Sequence, residues 1–162
     1  MFKFFNKKQK ADLKFVAPAT GKAIDLANVP DPVFAQKMAG DGIAIDITGD
    51  TIVAPADGTL SLVFKTKHAF AMTLDNGIEL LVHIGIDTVS LNGEGFEQLA
   101  SEGDIVKAGT PIIKINKDLI LEKGFSLITP VLITNPDVTS ELIISTDKNV
   151  TAGEDEIIIC KF

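Results

Sequence analysis

The run Ala69-Phe-Ala-Met-Thr-Leu74, Asp75-Asn-Gly77, Ile78-Glu-Leu-Leu-Val-His-Ile84 decides how this chain is read. Two apolar segments flank Asn76-Gly77, and Asn-Gly in that setting is the strongest short-range sign of a two-residue hairpin turn, because both residues tolerate the positive φ such turns need. The stretch is therefore expected to form two antiparallel strands, Ala69 to Leu74 and Ile78 to Ile84. With Asn76 and Gly77 as the turn, Asp75 pairs with Ile78 and His83 falls opposite Phe70. His68 then lies on the same face, two residues along, at the roughly 7–8 Å Cα spacing of diagonal neighbours. These are the only two histidines in the chain, so that register would converge both imidazoles on one small ligand. A slip of one residue would send them to opposite faces.

Outward from the hairpin, short apolar segments alternate with Gly, Pro, Asn and Asp from Phe15 on, the pattern of an all-β domain. Strands are expected at Gly42 to Ile47, Thr51 to Ala54, Gly58 to Phe64, Asp104 to Val106, Pro111 to Ile115, Phe125 to Thr129, Val131 to Asn135, Glu141 to Ser145 and Glu156 to Lys161. An internal echo supports the assignment. Val16-Ala-Pro-Ala-Thr-Gly21 returns as Val53-Ala-Pro-Ala-Asp-Gly58, and Val106-Lys-Ala-Gly109 as Val150-Thr-Ala-Gly153. Two copies point to a duplication folded into an antiparallel sandwich or flattened barrel, since a solenoid would need more repeats. Helical turns should be few: Asp31 to Gly40, with an aspartate cap and Pro32 at the first helical position, Phe96 to Ser101, and Asp118 to Gly124.

At 162 residues with 46% hydrophobic composition the chain can bury one real core. Residues 15–162 are read as a single domain and 1–14 as a separate tail. In that tail Phe2, Phe4 and Phe5 sit among Lys3, Lys7, Lys8, Lys10 and Lys14. A frayed terminus and a weak foothold of residues 1–10 on anionic lipid are both consistent with that composition. No run approaches a membrane span and no secretory stretch is evident, so a cytoplasmic location is expected. A net charge of −7 argues against nucleic acid as a partner. The fifteen cationic residues are all lysine, so the chain has no guanidinium fork for a phosphate and would borrow one from a partner. The single cysteine, Cys160, allows no internal disulfide and reads as a small apolar core residue.

Three chemistries could use the histidine pair. As zinc ligands the two histidines alone are incomplete, because protein zinc sites use three or more side chains, although Asp87 could be a third. As part of a nucleophilic triad they lack a Ser or Cys in a recognisable elbow. As a phosphoryl acceptor with a helper they suffice: neutral imidazole is a nucleophile near pH 7, and a second imidazole can donate to the phosphoryl oxygens. Thr66, two residues before His68 on an extended segment, would point to the same side and could set the tautomer of His68 through its hydroxyl.

The segment Gly77-x-x-Leu80-Leu-Val-His83-Ile-Gly-Ile-Asp87-Thr88 resembles the signature around the phosphorylated histidine of the glucose-class enzyme IIA domains of the bacterial phosphoenolpyruvate-dependent sugar phosphotransferase system. Thr66-Lys-His68-Ala69 resembles that family's second active-site histidine with its threonine. Asp31-Pro-Val-Phe-Ala-Gln-Lys37, Gly40-Asp-Gly42, Val53-Ala-Pro55 and Leu91-Asn-Gly-Glu-Gly-Phe96 extend the likeness over nearly all of the chain after residue 14. The resemblance implies a β-sandwich of the duplicated-hybrid type and a phosphohistidine relay. The histidine-containing phosphocarrier protein would load His83, and a cysteine on the IIB domain of a glucose-type sugar permease would unload it. His68 would steady the phosphoryl group and Thr66 would orient His68. Asp31 and Asp87 would face an arginine of the donor, while Phe34, Phe64, Leu81 and Val89 would form an apolar docking collar. The family also admits regulatory binding to other transporters or kinases. Separately from the resemblance, a zinc ion held transiently by His68 and His83 together with a partner's carboxylate stays open. No cofactor is obligatory on this reading.

Two other readings compete. His83-x-x-x-Asp87 has a spacing found in lysostaphin-like zinc endopeptidases, which share the fold but need a further His-x-His that this chain lacks. Val53-Ala-Pro-Ala-Asp-Gly58 is also reminiscent of biotinyl and lipoyl carriers, yet no lysine sits in a recognisable modification hairpin.

Overall fold

A computed structural model describes residues 11–162 of the chain. The aromatic and basic residues 1–10, with the lipid foothold expected of them, lie outside the described residues. The strands are β1 (Leu13–Val16), β2 (Gly21–Asp25), β3 (Asp41–Ile47), β4 (Thr51–Val53), β5 (Gly58–Val63), β6 (Ala69–Thr73) and β7 (Glu79–His83). There follow β8 (Phe96–Gln98), β9 (Ile105–Val106), β10 (Pro111–Ile115), β11 (Ile128–Ile133), β12 (Glu141–Ile144), β13 (Lys148–Val150) and β14 (Glu156–Lys161). Two short helices, α1 (Pro32–Ala35) and α2 (Lys117–Glu122), punctuate them. No helix among the described residues is long and apolar enough to cross a membrane.

The strands form an eight-stranded sheet in the order β13-β2-β3-β11-β7-β6-β5-β9, with three-stranded sheets β4-β10-β8 and β1-β14-β12. Every pairing is antiparallel, so the domain is the all-β sandwich expected. The duplication is visible as reciprocal hydrogen bonds. Val16 N–H donates to the Pro55 carbonyl (2.9 Å) and Val53 N–H to the Pro18 carbonyl (2.7 Å), so each copy of the repeated hexapeptide closes on the other. Gly109 N–H donates to Ala54 and Gly153 N–H to Ala17. Ala108 N–H finds the Asp57 carboxylate (2.8 Å) where Ala152 N–H finds the Thr20 hydroxyl (3.0 Å). A pseudo-two-fold therefore relates β13-β2 to β9-β5, in which Gly21 pairs with Val150 as Gly58 pairs with Val106.

Several local expectations need correcting. The central hairpin loop holds three residues, not two: Leu74 N–H donates to the Ile78 carbonyl and Gly77, at φ +88°, closes the loop. A left-handed third residue is what three-residue hairpin loops use. The register moves by one, so His83 pairs with Ala69 and Phe70 with Val82. Pro130 does not end a strand. The segment drawn as two strands is one, β11 from Ile128 to Ile133, preceded by irregular chain at 125–127; Pro130 pairs with Ala44 and lies one residue beyond the last β7 pair, where a missing N–H is tolerated. Phe96 to Gln98 is strand, held by β10, and not a helical turn. Strand β1 starts at Leu13, so the β1-β14-β12 sheet takes in the last two residues of the segment read as tail.

One face of the large sheet covers the main core, which includes Phe15, Ile43, Ile45, Leu60, Phe70, Met72, Val82 and Ile84, all fully buried. A second cluster, Leu26, Val29, Phe34, Ala44, Ile86 and Leu132, with Leu81 packed against it, covers part of the other face. This smaller cluster positions the functional side chains, because it seats α1 over the sheet beside the end of β7. Burial of a side chain such as Phe34 contributes roughly 1.5–3 kcal/mol. Asp31 starts α1 by accepting the Val33 N–H at 2.9 Å, and Pro32 occupies the first helical position, as expected for that sequence.

Candidate active site

His83 is the last residue of β7, and the chain leaves the strand there through two left-handed residues, Gly85 (φ +75°) and Asp87 (φ +60°). Position 85 admits only glycine: a Cβ would come within 2.6 Å of both the Ser126 carbonyl oxygen and the Thr88 side chain. The bend returns the Gly85 carbonyl to His83 Nδ1 at 2.8 Å. A carbonyl oxygen can only accept, so Nδ1 carries the proton and neutral His83 keeps its lone pair on Nε2.

His68 lies in the bend just before β6, after Lys67 at φ +59°. The two imidazole centroids are 4.9 Å apart and the rings nearly perpendicular at 81°. The one-residue register slip does not separate them, because strict alternation of faces holds only within a strand and His68 is outside one. Thr66 is in the same turn and not on an extended strand, yet its hydroxyl lies 2.6 Å from His68 Nδ1. If that hydroxyl donates, the proton of neutral His68 is on Nε2. Phe64 meets the His68 ring edge-on at 5.3 Å and Phe34 lies 5.0 Å from His83 at a tilt of 53°. His68 is 4% exposed, whereas His83 is half-buried and within reach of solvent.

Electrostatics keep both rings neutral at pH 7. Burial, with a smaller effect of the neighbouring His83, pushes the His68 pKa down from 6.5 to about 4. Burial also lowers the pKa of His83, against the opposing pull of the Gly85 carbonyl and of the Asp31 and Asp87 carboxylates. Those acids therefore sit close enough to be felt, Asp31 from the start of α1 and Asp87 from the exposed bend after β7.

The structure brings Thr66, His68, His83, Phe34 and Phe64 into direct contact and sets Asp31 and Asp87 around them. Leu81 precedes His83 by two residues on the same face of β7 but is tucked into the smaller cluster. Val89, 49% exposed, sits on the turn Thr88–Leu91. Two apolar side chains beside Phe34 went unread: Val33 and Met38 are 45% and 70% exposed. Their signal was present, since a capped helical turn of so few residues cannot bury all of Val33, Phe34 and Met38. The Gly85 carbonyl was also missed as a partner of His83, because a backbone acceptor leaves no mark on residue type. Among the described residues no three His, Cys, Asp or Glu side chains are grouped to hold a metal ion. The unengaged Nε2 atoms of His68 and His83 would supply two ligands, and a partner would have to supply the rest.

Residues 13–139 match the family model for the phosphoenolpyruvate-dependent sugar phosphotransferase system, EIIA 1. The chain is 45% identical over 152 residues to a PTS system glucose-specific EIIA component of Staphylococcus aureus, covering 94% of this chain and 92% of that protein. It is 44% identical over 158 residues to the component of that name from Staphylococcus epidermidis, covering 96% and 95%. The solved structure of glucose permease IIA from Mycoplasma capricolum superposes with a TM-score of 0.84 at 34% identity, over 93% of this chain and 96% of that one.

Proposed function

The chain belongs to the EIIA 1 family of the phosphoenolpyruvate-dependent sugar phosphotransferase system, as a phosphoryl carrier of that system, and we propose that His83 bears the phosphoryl group on Nε2. The observation that carries this reading is the Gly85 carbonyl on His83 Nδ1, which leaves the lone pair on Nε2 of the more exposed of two adjoining imidazoles. In the loading step that lone pair attacks the phosphorus of a phosphohistidine on the histidine-containing phosphocarrier protein. The new N–P bond forms as the donor's breaks, and the donor nitrogen recovers its electron pair. Unloading is the same displacement with a IIB cysteine thiolate of a glucose-type permease as nucleophile, giving an S–P bond and returning the electron pair to His83.

His68 acts in both steps as a hydrogen-bond donor. With Thr66 holding its Nδ1, the Nε2–H is available to a phosphoryl oxygen, and stabilisation of this kind is worth most where it is preorganised. No arginine is available from this chain, so the charge on the transferring group is met by cations of whichever partner is docked. Asp31 and Asp87 pair with a partner's arginine, and Phe34, Phe64, Leu81 and Val89 pack against the partner's apolar surface. Departure of the partner removes the cation, which keeps the phosphoryl group transferable. Regulatory binding to other transporters or kinases would use the same face in its unphosphorylated state, with zinc completed by a partner's carboxylate as one form of that contact. The site works in the cytoplasm, where phosphoenolpyruvate is present.

The experiment incubates the protein with phosphoenolpyruvate and the two general phosphotransferase proteins and maps the acid-labile phosphate by mass. The label is expected on the peptide containing His83, absent from His83→Ala. Undiminished labelling of that variant would refute the assignment.

A further inference from the structure

Thr129 and Thr88 are buried polar residues with no exposed surface, and their hydroxyls bond backbone groups and not an imidazole. Both act on the peptide unit that joins Ile84 to Gly85. Thr129 Oγ1 accepts the Gly85 N–H at 3.2 Å, and Thr88 Oγ1 donates to the Ile84 carbonyl at 2.5 Å. The rotor of Thr129 is committed as well, because its hydroxyl proton goes to the Leu127 carbonyl at 3.0 Å, leaving the oxygen to face Gly85 as an acceptor. The following peptide unit is held at its N–H, where Ile86 donates to the Ser126 carbonyl at 3.3 Å, and its carbonyl, that of Gly85, receives His83 Nδ1–H.

We propose that Thr129 is a positioning residue for the reaction at His83: with Thr88 it grips the Ile84–Gly85 peptide unit and so aims the Gly85 carbonyl that keeps the His83 proton on Nδ1. The proposal rests on the reading that His83 Nε2 is the nucleophile. Strand β11 enters the mechanism by this route, without contributing a group that reaches the phosphate. Glycine at 85 leaves the backbone free to rotate, and a left-handed turn without side-chain contacts of its own needs an external hold. Without the Thr129 hydroxyl the Gly85 N–H would be buried and unpaired, which a turn relieves by rotating. Rotation takes the carbonyl off Nδ1, and His83 then also populates the tautomer with the proton on Nε2, in which the attacking atom has no lone pair.

The test is made on the full chain without phosphate, by two-bond proton–nitrogen correlation spectra of the histidine rings at pH 8. Wild type and Thr129→Ser, which keeps the hydroxyl, are expected to show His83 with its proton on Nδ1 alone. Thr129→Val is expected to show a mixture of tautomers and a single-turnover phosphoryl acceptance slower by roughly two- to tenfold, the size of one lost neutral hydrogen bond. A pure Nδ1–H tautomer in Thr129→Val with wild-type acceptance would overturn the proposal, whatever happens to its melting temperature. Should that variant fail to fold, Thr88→Val reports on the other end of the same peptide unit by the same spectra, with the same two outcomes. The spectra concern the unphosphorylated protein, so a failure of the clamp is distinguishable from a failure of the carrier reading, which the labelling of His83 decides.

Discussion

Replacing Gly85 with alanine should damage the fold and the transfer reaction together, and Gly77→Ala should separate the two. Gly85 sits at φ +75° with its missing Cβ directed 2.6 Å from the Ser126 carbonyl oxygen and 2.6 Å from the Thr88 side chain. A left-handed backbone costs an L-residue roughly 1–2 kcal/mol. The first contact is with backbone, so it is relieved only by moving chain, at a further strain of order 1–3 kcal/mol. For a chain of this size each kcal/mol is about 2–4 °C of melting temperature, which places the loss at roughly 4–20 °C. The same movement draws the Gly85 carbonyl away from His83 Nδ1. Loss of that hydrogen bond should slow phosphoryl acceptance about tenfold. Gly77 has a similar φ of +88° but nothing within 4 Å of its missing Cβ, so Gly77→Ala should cost only the left-handed term, roughly 1–2 kcal/mol, and leave transfer unchanged. Melting followed by circular dichroism, with rapid-quench transfer from the phosphorylated donor at 15 °C below each midpoint, measures both quantities. Gly85→Ala accepting phosphoryl at the wild-type rate, or Gly77→Ala losing as much activity, would refute the reasoning.

His68→Gln should still be labelled by the donor but should pass its phosphoryl group to the IIB domain more slowly by roughly 10- to 100-fold, the worth of one hydrogen bond to a charged group; single-turnover unloading measures it, and unimpaired transfer removes His68 from the mechanism. The buried pair also makes stability depend on pH. Because the His68 pKa is held down at about 4 from 6.5, the unfolded chain binds a proton between those values that the folded chain does not, so acidification destabilises the fold in that window and adds nothing above it. Urea unfolding at pH 7 and pH 5 should therefore show a smaller loss in His68→Gln than in wild type, and an equal loss would contradict the buried neutral imidazole. Val89→Asp, on the exposed turn after Asp87, should raise the KM for the phosphorylated donor roughly five- to tenfold, a typical interface side chain's share, with kcat unchanged in steady-state transfer.

Much of this architecture was legible in residue types. The alternation of short apolar segments with turn residues announced an all-β chain, and the twin hexapeptides at Val16 and Val53 turned out to be hydrogen-bonded to each other. The departures have physical causes. Asn76-Gly77 suits a two-residue turn and equally the last two positions of a three-residue loop, and the choice is made by pairing across the sheet, which local propensity does not encode. Pro130 signals a strand end when only its lost N–H is considered, but β11 has no β7 partner left to satisfy at that point. Phe96 to Gln98 lacks strand alternation long enough to read and is drawn into a sheet by β10. At the site, His83, His68 and Thr66 were legible because they are rare or distinctive types at close spacing. The Gly85 carbonyl and the buried hydroxyls of Thr88 and Thr129 were not, because a backbone acceptor leaves no mark on residue type and a buried threonine, on a turn or in a strand, reads as any other β-branched residue.

The whole relay turns on one atom, Nε2 of His83, and that atom can be observed. Protein with nitrogen-15-labelled histidines, loaded from phosphoenolpyruvate through the two general phosphotransferase proteins, can be read by phosphorus and nitrogen resonance for the ring and the nitrogen that bear the phosphate. Phosphate is expected on Nε2 of His83, with Nδ1 still protonated and bonded to the Gly85 carbonyl. Phosphate on His68, or on Nδ1 of His83, would refute the assignment of Nε2 as the nucleophile.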